Sequence, residues 1–116
     1  MLINIYKITK TLNSNFEVKS VEITNGNGVT LYAGAYKLSK LLFVEGFLHN
    51  STDNNTGILF TINDEMVNIN DVTKFTTCKA GTNNAYIINV DKGNASCANM
   101  SLPEGYYPIN FVTKLV

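Results

Sequence analysis

The sequence predicts an all-β fold, an antiparallel β-sandwich or jelly roll of about nine short strands. Most segments alternate apolar and polar residues with the period of two that half-buried strands show. Turn residues, chiefly Gly, Asn, Asp and Pro, separate these segments at short intervals, and no long segment has a convincing helical period. A chain of 116 residues has the length of one domain, so we expect a single β-sandwich domain over residues 1–116.

Three strands are predicted within the first 36 residues. Leu2–Ile8 alternates weakly, and Phe16–Thr24 follows with an apolar phase that changes parity midway. A change of parity within one strand is typical of a β-bulge. Asn25–Gly28 contains the Asn-Gly pair twice, which is the strongest short hairpin signal because both residues tolerate positive φ. Val29–Tyr36 is the strand that follows this turn.

The segment Lys37–Leu48 is apolar on both faces when it is interpreted as a strand. One face carries Leu42, Val44 and Leu48, and the other carries Leu41, Phe43 and Phe47. Such a strand belongs in the middle of a packed sheet and not at its edge. The leucines also fit a helical spacing, but the neighbouring segments are β and Gly46 inside a helix would cost about 1 kcal/mol. We therefore favour the strand.

The second half of the chain continues the β pattern. In order, the predicted elements are a polar loop at His49–Gly57, a strand at Gly57–Ile62, a short helical turn at Asp64–Val67, a strand at Val72–Ala80, a turn at Gly81–Asn83, the hairpin Asn84–Leu102, a turn at Pro103–Gly105 and a last strand at Pro108–Leu115. For the hairpin we expect a three-residue loop, Lys92-Gly93-Asn94, which places Ile88 opposite Ala98 and keeps one face apolar. A register shifted by one residue would place Ile88 opposite Cys97.

Composition excludes several classes of function. The nine basic residues are all lysine, the formal net charge is zero and 17 residues are asparagine. The lack of arginine argues against nucleic-acid binding. No apolar run approaches the ~20 residues of a membrane helix, and the first residues contain no signal-peptide core. Cys78 and Cys97 form neither a disulfide framework nor a metal-site spacing, so two reduced, packed thiols are favoured over a disulfide.

The ionisable residues predict neither a metal site, nor a cofactor, nor an active site. His49 is the single histidine, which excludes zinc sites with several histidines from one chain. Asp53-Asn54-Asn55 is similar to a calcium loop but has no closing Glu, so a solvated loop is favoured. The nine acids are scattered and show no catalytic pair. Glu45 stands out as an acid in an apolar run, either at a subunit contact or facing solvent. We expect a non-enzymatic protein.

Loop residues are the candidates for ligand binding. Tyr106 and Tyr107 follow the Pro103–Gly105 turn, and a tyrosine offers a ring to apolar faces and a hydroxyl to polar groups. The alternative is that one of the two packs inward and fixes the loop. The candidate ligand-binding residues are Tyr106, Tyr107, Asp53, Asn54 and Asn83.

The passage LLFVEGFLHNSTDNNTGILFTI, at Leu41–Ile62, resembles the "strand, Gly, strand, loop, Gly-x-Leu-Phe-Thr" passage of phage tail-fibre and receptor-binding tip domains from phages of low-GC bacteria. The pieces that follow stand in comparable order, so that the resemblance covers roughly Leu41–Val112. Those domains usually continue with Pro-x-Gly-Tyr, whereas here that motif appears only at Pro103–Tyr106.

The resemblance implies a β-sandwich knob, commonly a homotrimer, that contacts cell-surface glycans. The hypothesis is a non-enzymatic virion appendage, made in the host cytoplasm, that binds a host surface polysaccharide and other virion proteins. If the chain is trimeric, Tyr36, Val44 and Phe47 are candidates for the shared axis. One alternative is a purely structural virion protein, either a decoration protein or a connector. Another is a small polysaccharide-degrading enzyme.

Overall fold

A computed structural model describes residues 18–64, 72–98 and 100–115, and these residues form eight antiparallel strands. The predicted all-β antiparallel class is confirmed. The strands are β1 (Val18–Asn25), β2 (Val29–Leu38), β3 (Leu41–Asn50), β4 (Ile58–Asn63), β5 (Val72–Cys78), β6 (Ala85–Asp91), β7 (Asn94–Cys97) and β8 (Gly105–Lys114).

These eight strands correspond to eight of the predicted ones. The ambiguous segment forms β3, so the strand interpretation is confirmed and the helical alternative is wrong. The strand predicted at Leu2–Ile8 lies outside the described residues, and so does the helical turn predicted at Asp64–Val67 beyond its first residue.

The strands form one sheet in the order β5-β6-β7-β4-β1-β2-β3-β8. β1 pairs with β2 through Val18–Val21 and with β4 through Glu22–Asn25, so it passes from one half of the sheet to the other. The bulge predicted in this strand is not found in its described part, where each half keeps a continuous register. A register shift lies instead in β4, opposite β7, between Ile58 and Phe60.

The sheet curls until its first and last strands meet. Thr77 on β5 donates from Oγ1 to the carbonyl oxygen of Pro108 on β8 over 2.6 Å. The Thr73 and Thr113 hydroxyl groups are also 2.6 Å apart. These side-chain bonds bring β5 against β8, so the two halves of the sheet enclose one core.

The core follows from the two-residue alternation of the strands. Even-numbered residues of β3 and odd-numbered residues of β8 point inward. Phe75 of β5 stacks on Phe111 of β8 with ring centroids 4.7 Å apart, which joins the two halves where they meet. The fully buried large side chains are Tyr107, Phe60, Leu42, Leu59, Ile88, Leu102, Ile109, Val44 and Val90.

The register predicted for the Asn84–Leu102 hairpin is wrong by one residue. Ile88 lies opposite Cys97, which is the alternative register, and Val90 lies opposite Ala95. The loop has two residues, Lys92 and Gly93, with φ values of 51° and 85°. Positive φ at both positions gives the type I′ geometry that matches strand twist, and this geometry displaces the three-residue loop.

Both cysteines are free thiols, as predicted. Cys97 is half-buried on β7, beside the core. Cys78 is exposed on β5, so the expectation that both thiols are packed holds only for Cys97.

Candidate functional site

Four polar connections gather at one end of the sheet, which we call the loop end. They are residues 26–28 between β1 and β2, residues 51–57 between β3 and β4, residues 79–84 between β5 and β6, and residues 100–104 before β8. The opposite end holds Val18, paired with Leu38, and Leu115, whose amide donates to the Lys40 carbonyl over 2.7 Å.

The buried side chain of Asn50 joins the connections of the loop end. Its Nδ2 lies 2.9 Å from the Leu102 carbonyl oxygen, 3.0 Å from that of Pro103 and 2.9 Å from that of Thr52. Its Oδ1 accepts from the Thr52 amide and from Nδ2 of Asn55. A fully buried amide is stable only when its polar atoms are bonded, so Asn50 fixes the relative positions of the two loops that it contacts.

A polar groove lies between the 26–28 and 51–57 loops. It has a volume of about 460 Å³ and is lined by Asn27, Gly28, Thr52, Asn54, Asn55, Thr56 and Gly57. Gly28 has a φ of 72°, and a Cβ there would overlap the Thr52 hydroxyl. The glycine therefore meets two requirements at once, a left-handed backbone and close packing against the neighbouring loop.

A second surface lies on the solvent-facing side of β2, β3 and β8, which we call the outer face. Phe47 is 43% exposed; it stacks on Tyr32 at 4.9 Å and lies 6.1 Å from the ring of Tyr106. The His49 ring stacks on Tyr106 at 4.3 Å. The exposed apolar residues of the outer face are Tyr32, Tyr36, Leu41, Phe43, Phe47, Tyr106 and Val112. A contiguous apolar surface of this kind is typical of an interaction site.

Glu45 lies in the middle of the outer face. Gly34 on β2 and Asn110 on β8 are its register partners, and apolar residues occupy the rows on either side. The prediction that β3 is not an edge strand is confirmed, because it pairs with β2 and β8. Its second apolar face, however, is not covered by any described residue of the chain.

The structure separates the predicted ligand-binding residues. Asn54 lines the groove and Asp53 is next to it on the same exposed loop. Asn83 lies on a neighbouring loop of the same end. Tyr106 is on the outer face and is 49% exposed.

Tyr107 is 0% exposed, and its hydroxyl donates to the Pro103 carbonyl over 2.7 Å. Tyr107 is therefore the tyrosine of the pair that packs inward. Its side chain has no exposed surface that could contact a ligand. Val44, a candidate for a shared axis, is only 2% exposed and belongs to the core. Tyr36 and Phe47 remain on the surface.

Of the residues that line the groove, sequence reasoning named only Asn54 as a candidate and missed Asn27, Gly28, Thr52, Asn55, Thr56 and Gly57. The repeated Asn-Gly pair marked a turn, and the run of polar residues after His49 marked a loop. The two loops meet because Val29 pairs with Asn50, and the Ser51 amide and hydroxyl then both donate to the Gly28 carbonyl.

Burial shapes the chemistry of two groups beside the core. It raises the pKa of Tyr107 to about 12, with smaller contributions from Tyr86 and Cys97. Burial also raises the pKa of the Cys97 thiol. Both groups therefore keep their protons at neutral pH.

Among the described residues, no three histidine, cysteine or acidic side chains come together as a possible metal site. The same residues contain no helix that is long and apolar enough to cross a membrane.

Two solved structures share this fold. The receptor-binding protein gp15 of Listeria phage PSA matches 96% of this chain and 74% of its own chain, with a TM-score of 0.73 and 17% identity. The head domain of phage bIL170, one of the receptor-binding domains of lactococcal phages, matches 86% of this chain and 100% of its own, with a TM-score of 0.59 and 13% identity. No protein-family model matches the sequence, and no curated protein matches it. The resemblance to phage receptor-binding domains is confirmed at the level of the fold.

Proposed function

We propose that the chain is a receptor-binding domain of a bacteriophage virion and that it recognises a polysaccharide on the host surface. The observation that carries the proposal is the likeness to gp15 of Listeria phage PSA over 96% of the chain, since that protein is a receptor-binding protein. A fold alone does not specify a function, so the surfaces of the molecule must supply the rest of the argument.

The arrangement of the two ends supports an appendage. Val18 and Leu115 lie at the end opposite the polar loops. A chain that is attached to a virion through that end presents the loop end outward. Loops held by a rigid sheet are where binding residues concentrate in β-sandwich proteins.

The polar character of the loop end supports a polysaccharide ligand. Asn, Thr, Ser and Gly dominate residues 51–57, and amides and hydroxyls both donate and accept hydrogen bonds. Sugar hydroxyls require partners of this kind. The proposed role is binding without hydrolysis, because a glycosidase needs two carboxylates that face one cleft and the polar groove is lined by none.

The outer face supports assembly into a homotrimer. Its seven apolar side chains have no cover within the described residues, and closed rotational symmetry would bury them without leaving a free edge. Tyr36 and Phe47 are the predicted axis candidates that remain on this surface. The same surface is also compatible with the alternative function, a decoration protein or connector that packs on other virion proteins.

Binding to bacterial cell walls tests the proposal. The full chain is incubated with purified walls from Listeria and Lactococcus strains, before and after chemical extraction of the wall polysaccharide, and the bound fraction is measured. We expect saturable binding to the walls of at least one strain and its loss after extraction. Absence of binding to every wall preparation would contradict receptor recognition and favour the structural alternative. Binding that survives extraction would point to a non-polysaccharide receptor.

A further inference from the structure

The polar groove between residues 26–28 and 51–57 has the shape and rigidity of a ligand site. Its volume of about 460 Å³ falls within the range of small-molecule sites in proteins, about 300–1,000 Å³. The groove lies at the loop end, between the β1–β2 and β3–β4 connections.

The base of the groove is built before any ligand arrives. Asn55 is buried; its Nδ2 donates to Asn50 Oδ1 over 3.1 Å and its Oδ1 accepts from the Gly57 amide over 2.9 Å. The backbone of Asn55 also exchanges two hydrogen bonds with Leu102, at 2.9 and 2.8 Å. A site whose base is already ordered loses little conformational entropy when a ligand binds.

The rim of the groove carries polar groups that are free to bond a ligand. Within the described part of the chain, the side chains of Asn27 and Thr56 are exposed and have no hydrogen-bond partner. The Asn54 side chain has only a 3.4 Å contact, in which its Oδ1 accepts from Ser101, so its Nδ2 remains available. Gly57 adds no side chain, and a Cβ at this position would meet only Asn55 Oδ1, at 3.5 Å, so a ligand can reach the backbone here.

The groove is polar but has no charge. No lysine or acid is among its lining residues, and the nearest charge along the chain is the carboxylate of Asp53. A charged ligand would lose hydration without gaining a counter-charge, and an anion would also meet Asp53. Amides and hydroxyls instead match vicinal hydroxyl groups, which donate and accept in alternation.

We infer that this groove binds an uncharged sugar residue, a neutral hexose or N-acetylhexosamine, through the side chains of Asn27, Asn54 and Thr56. No aromatic side chain lines the groove, so the sugar is held by hydrogen bonds at its edge and not by stacking. The inference rests on the proposed function and adds the place and the chemical class of the ligand.

Amide NMR on the full ¹⁵N-labelled chain tests the site. The chain is titrated with a panel of neutral hexoses and N-acetylhexosamines, and separately with glucuronate and glycerol phosphate as charged probes. We expect at least one neutral sugar to shift amides of residues 27–28 and 51–57, and the charged probes to bind at least tenfold more weakly. If either charged probe binds more strongly than the neutral sugars, the inference of an uncharged ligand is wrong. If the shifted amides lie only on other surfaces, the groove is not the binding site.

Two variants extend the test to wall polysaccharide. Asn27→Ala combined with Thr56→Ala removes two hydrogen-bonding groups and should weaken binding to cell walls about thirtyfold, since two bonds of about 1 kcal/mol each contribute about 2 kcal/mol and about 1.4 kcal/mol corresponds to a factor of ten. Asn84→Ala, at an exposed position of the 79–84 connection of the same end, is the matched control and should bind as the unmodified chain does. If all three proteins bind cell walls equally, the groove is not the binding site, although the proposed receptor binding still stands. If the unmodified chain binds no wall and no sugar, both the groove and the proposed function fail.

Discussion

Nδ2 of Asn55 donates to Oδ1 of Asn50 over 3.1 Å, and both side chains are buried. This bond connects the end of β3 to the base of the polar groove. A hydrogen bond between two buried side-chain amides fixes one arrangement of the loops that carry them. The stability of the β-sandwich and the shape of the groove therefore depend on the same pair.

Replacement of Asn50 by alanine should lower the free energy of unfolding by about 3 kcal/mol. The change removes a buried side chain that donates to the carbonyls of Thr52 and Leu102, and it takes away the Oδ1 acceptor of the buried Asn55 amide. Urea denaturation measures the effect. Asn84→Ala, at an exposed loop position, is the matched control and should cost less than about 0.5 kcal/mol. Equal losses in the two variants would show that Asn50 does not organise the loop end.

Tyr107 should make the protein sensitive to alkaline pH. Its pKa of about 12 in the folded chain exceeds the value of about 10 for an unfolded tyrosine, so the folded state holds the proton more tightly. The resulting contribution to stability is complete below about pH 10 and is lost as the pH rises towards 12.

The Tyr107→Phe variant checks this pH dependence. It removes the hydrogen bond to Pro103, which should cost about 1 kcal/mol at neutral pH. The difference in unfolding free energy between the original chain and the variant should shrink between about pH 10 and 12. As a control, Thr77→Val removes a hydroxyl that donates to Pro108 and does not titrate, so its cost in unfolding free energy should stay constant across this pH range. A constant difference between the Tyr107→Phe variant and the original chain across this range would contradict the prediction.

Assembly through the outer face predicts that Phe47→Lys produces monomers. A lysine at this position would replace an apolar ring of the contact by a charge that must lose its hydration when the contact is buried. Size-exclusion chromatography with light scattering should give three times the chain mass of 12.8 kDa for the original protein and the single-chain mass for the variant. Ile87→Lys tests an apolar residue that is 50% exposed on β6, outside this face, and should remain trimeric. A monomeric original chain, or a trimeric Phe47→Lys variant, would contradict this assembly.

Removal of the Glu45 charge should strengthen the association of subunits, whereas Phe47→Lys should weaken it. The Glu45 carboxylate lies at the centre of the outer face, and burial of a charge between subunits opposes association unless a cation pairs with it. Glu45→Gln keeps the shape and removes the charge, so the variant should dissociate at a protein concentration at least tenfold lower. Sedimentation at decreasing concentration measures this, with Glu104→Gln at the loop end as the control. Weaker association of Glu45→Gln would instead indicate a cationic partner across the interface.

The sequence was sufficient to predict the strands because local alternation encodes them. β8 shows this most clearly, since it buries every second residue along most of its length. The hairpin register was harder to predict. It depends on Lys92 adopting a φ of 51°, a conformation that residue preferences assign to Asn or Gly.

The exposed face of β3 and the polar groove were not predicted, because both depend on pairing between residues far apart in sequence. The two apolar faces of β3 correctly indicated a strand with a neighbour on each side. An apolar face in a sequence does not, however, show whether residues of the same chain or of another chain pack on it. In this chain, Phe43 and Phe47 of that face are exposed. The groove likewise depends on Val29 lying opposite Asn50, a contact between residues far apart in sequence.

The position of Val18 and Leu115 at the end opposite the polar loops has a mechanical consequence. A pulling force between a surface held at the loop end and an attachment at the other end would run parallel to the strands. Ladder hydrogen bonds in an antiparallel sheet lie perpendicular to the strands, so such a force shears many of them together. The unbroken ladder of β3 with β2 and β8, from Leu41 to Asn50, would share this load along its whole length. Under the proposed function, tension would therefore load many of these hydrogen bonds at once instead of breaking them one at a time.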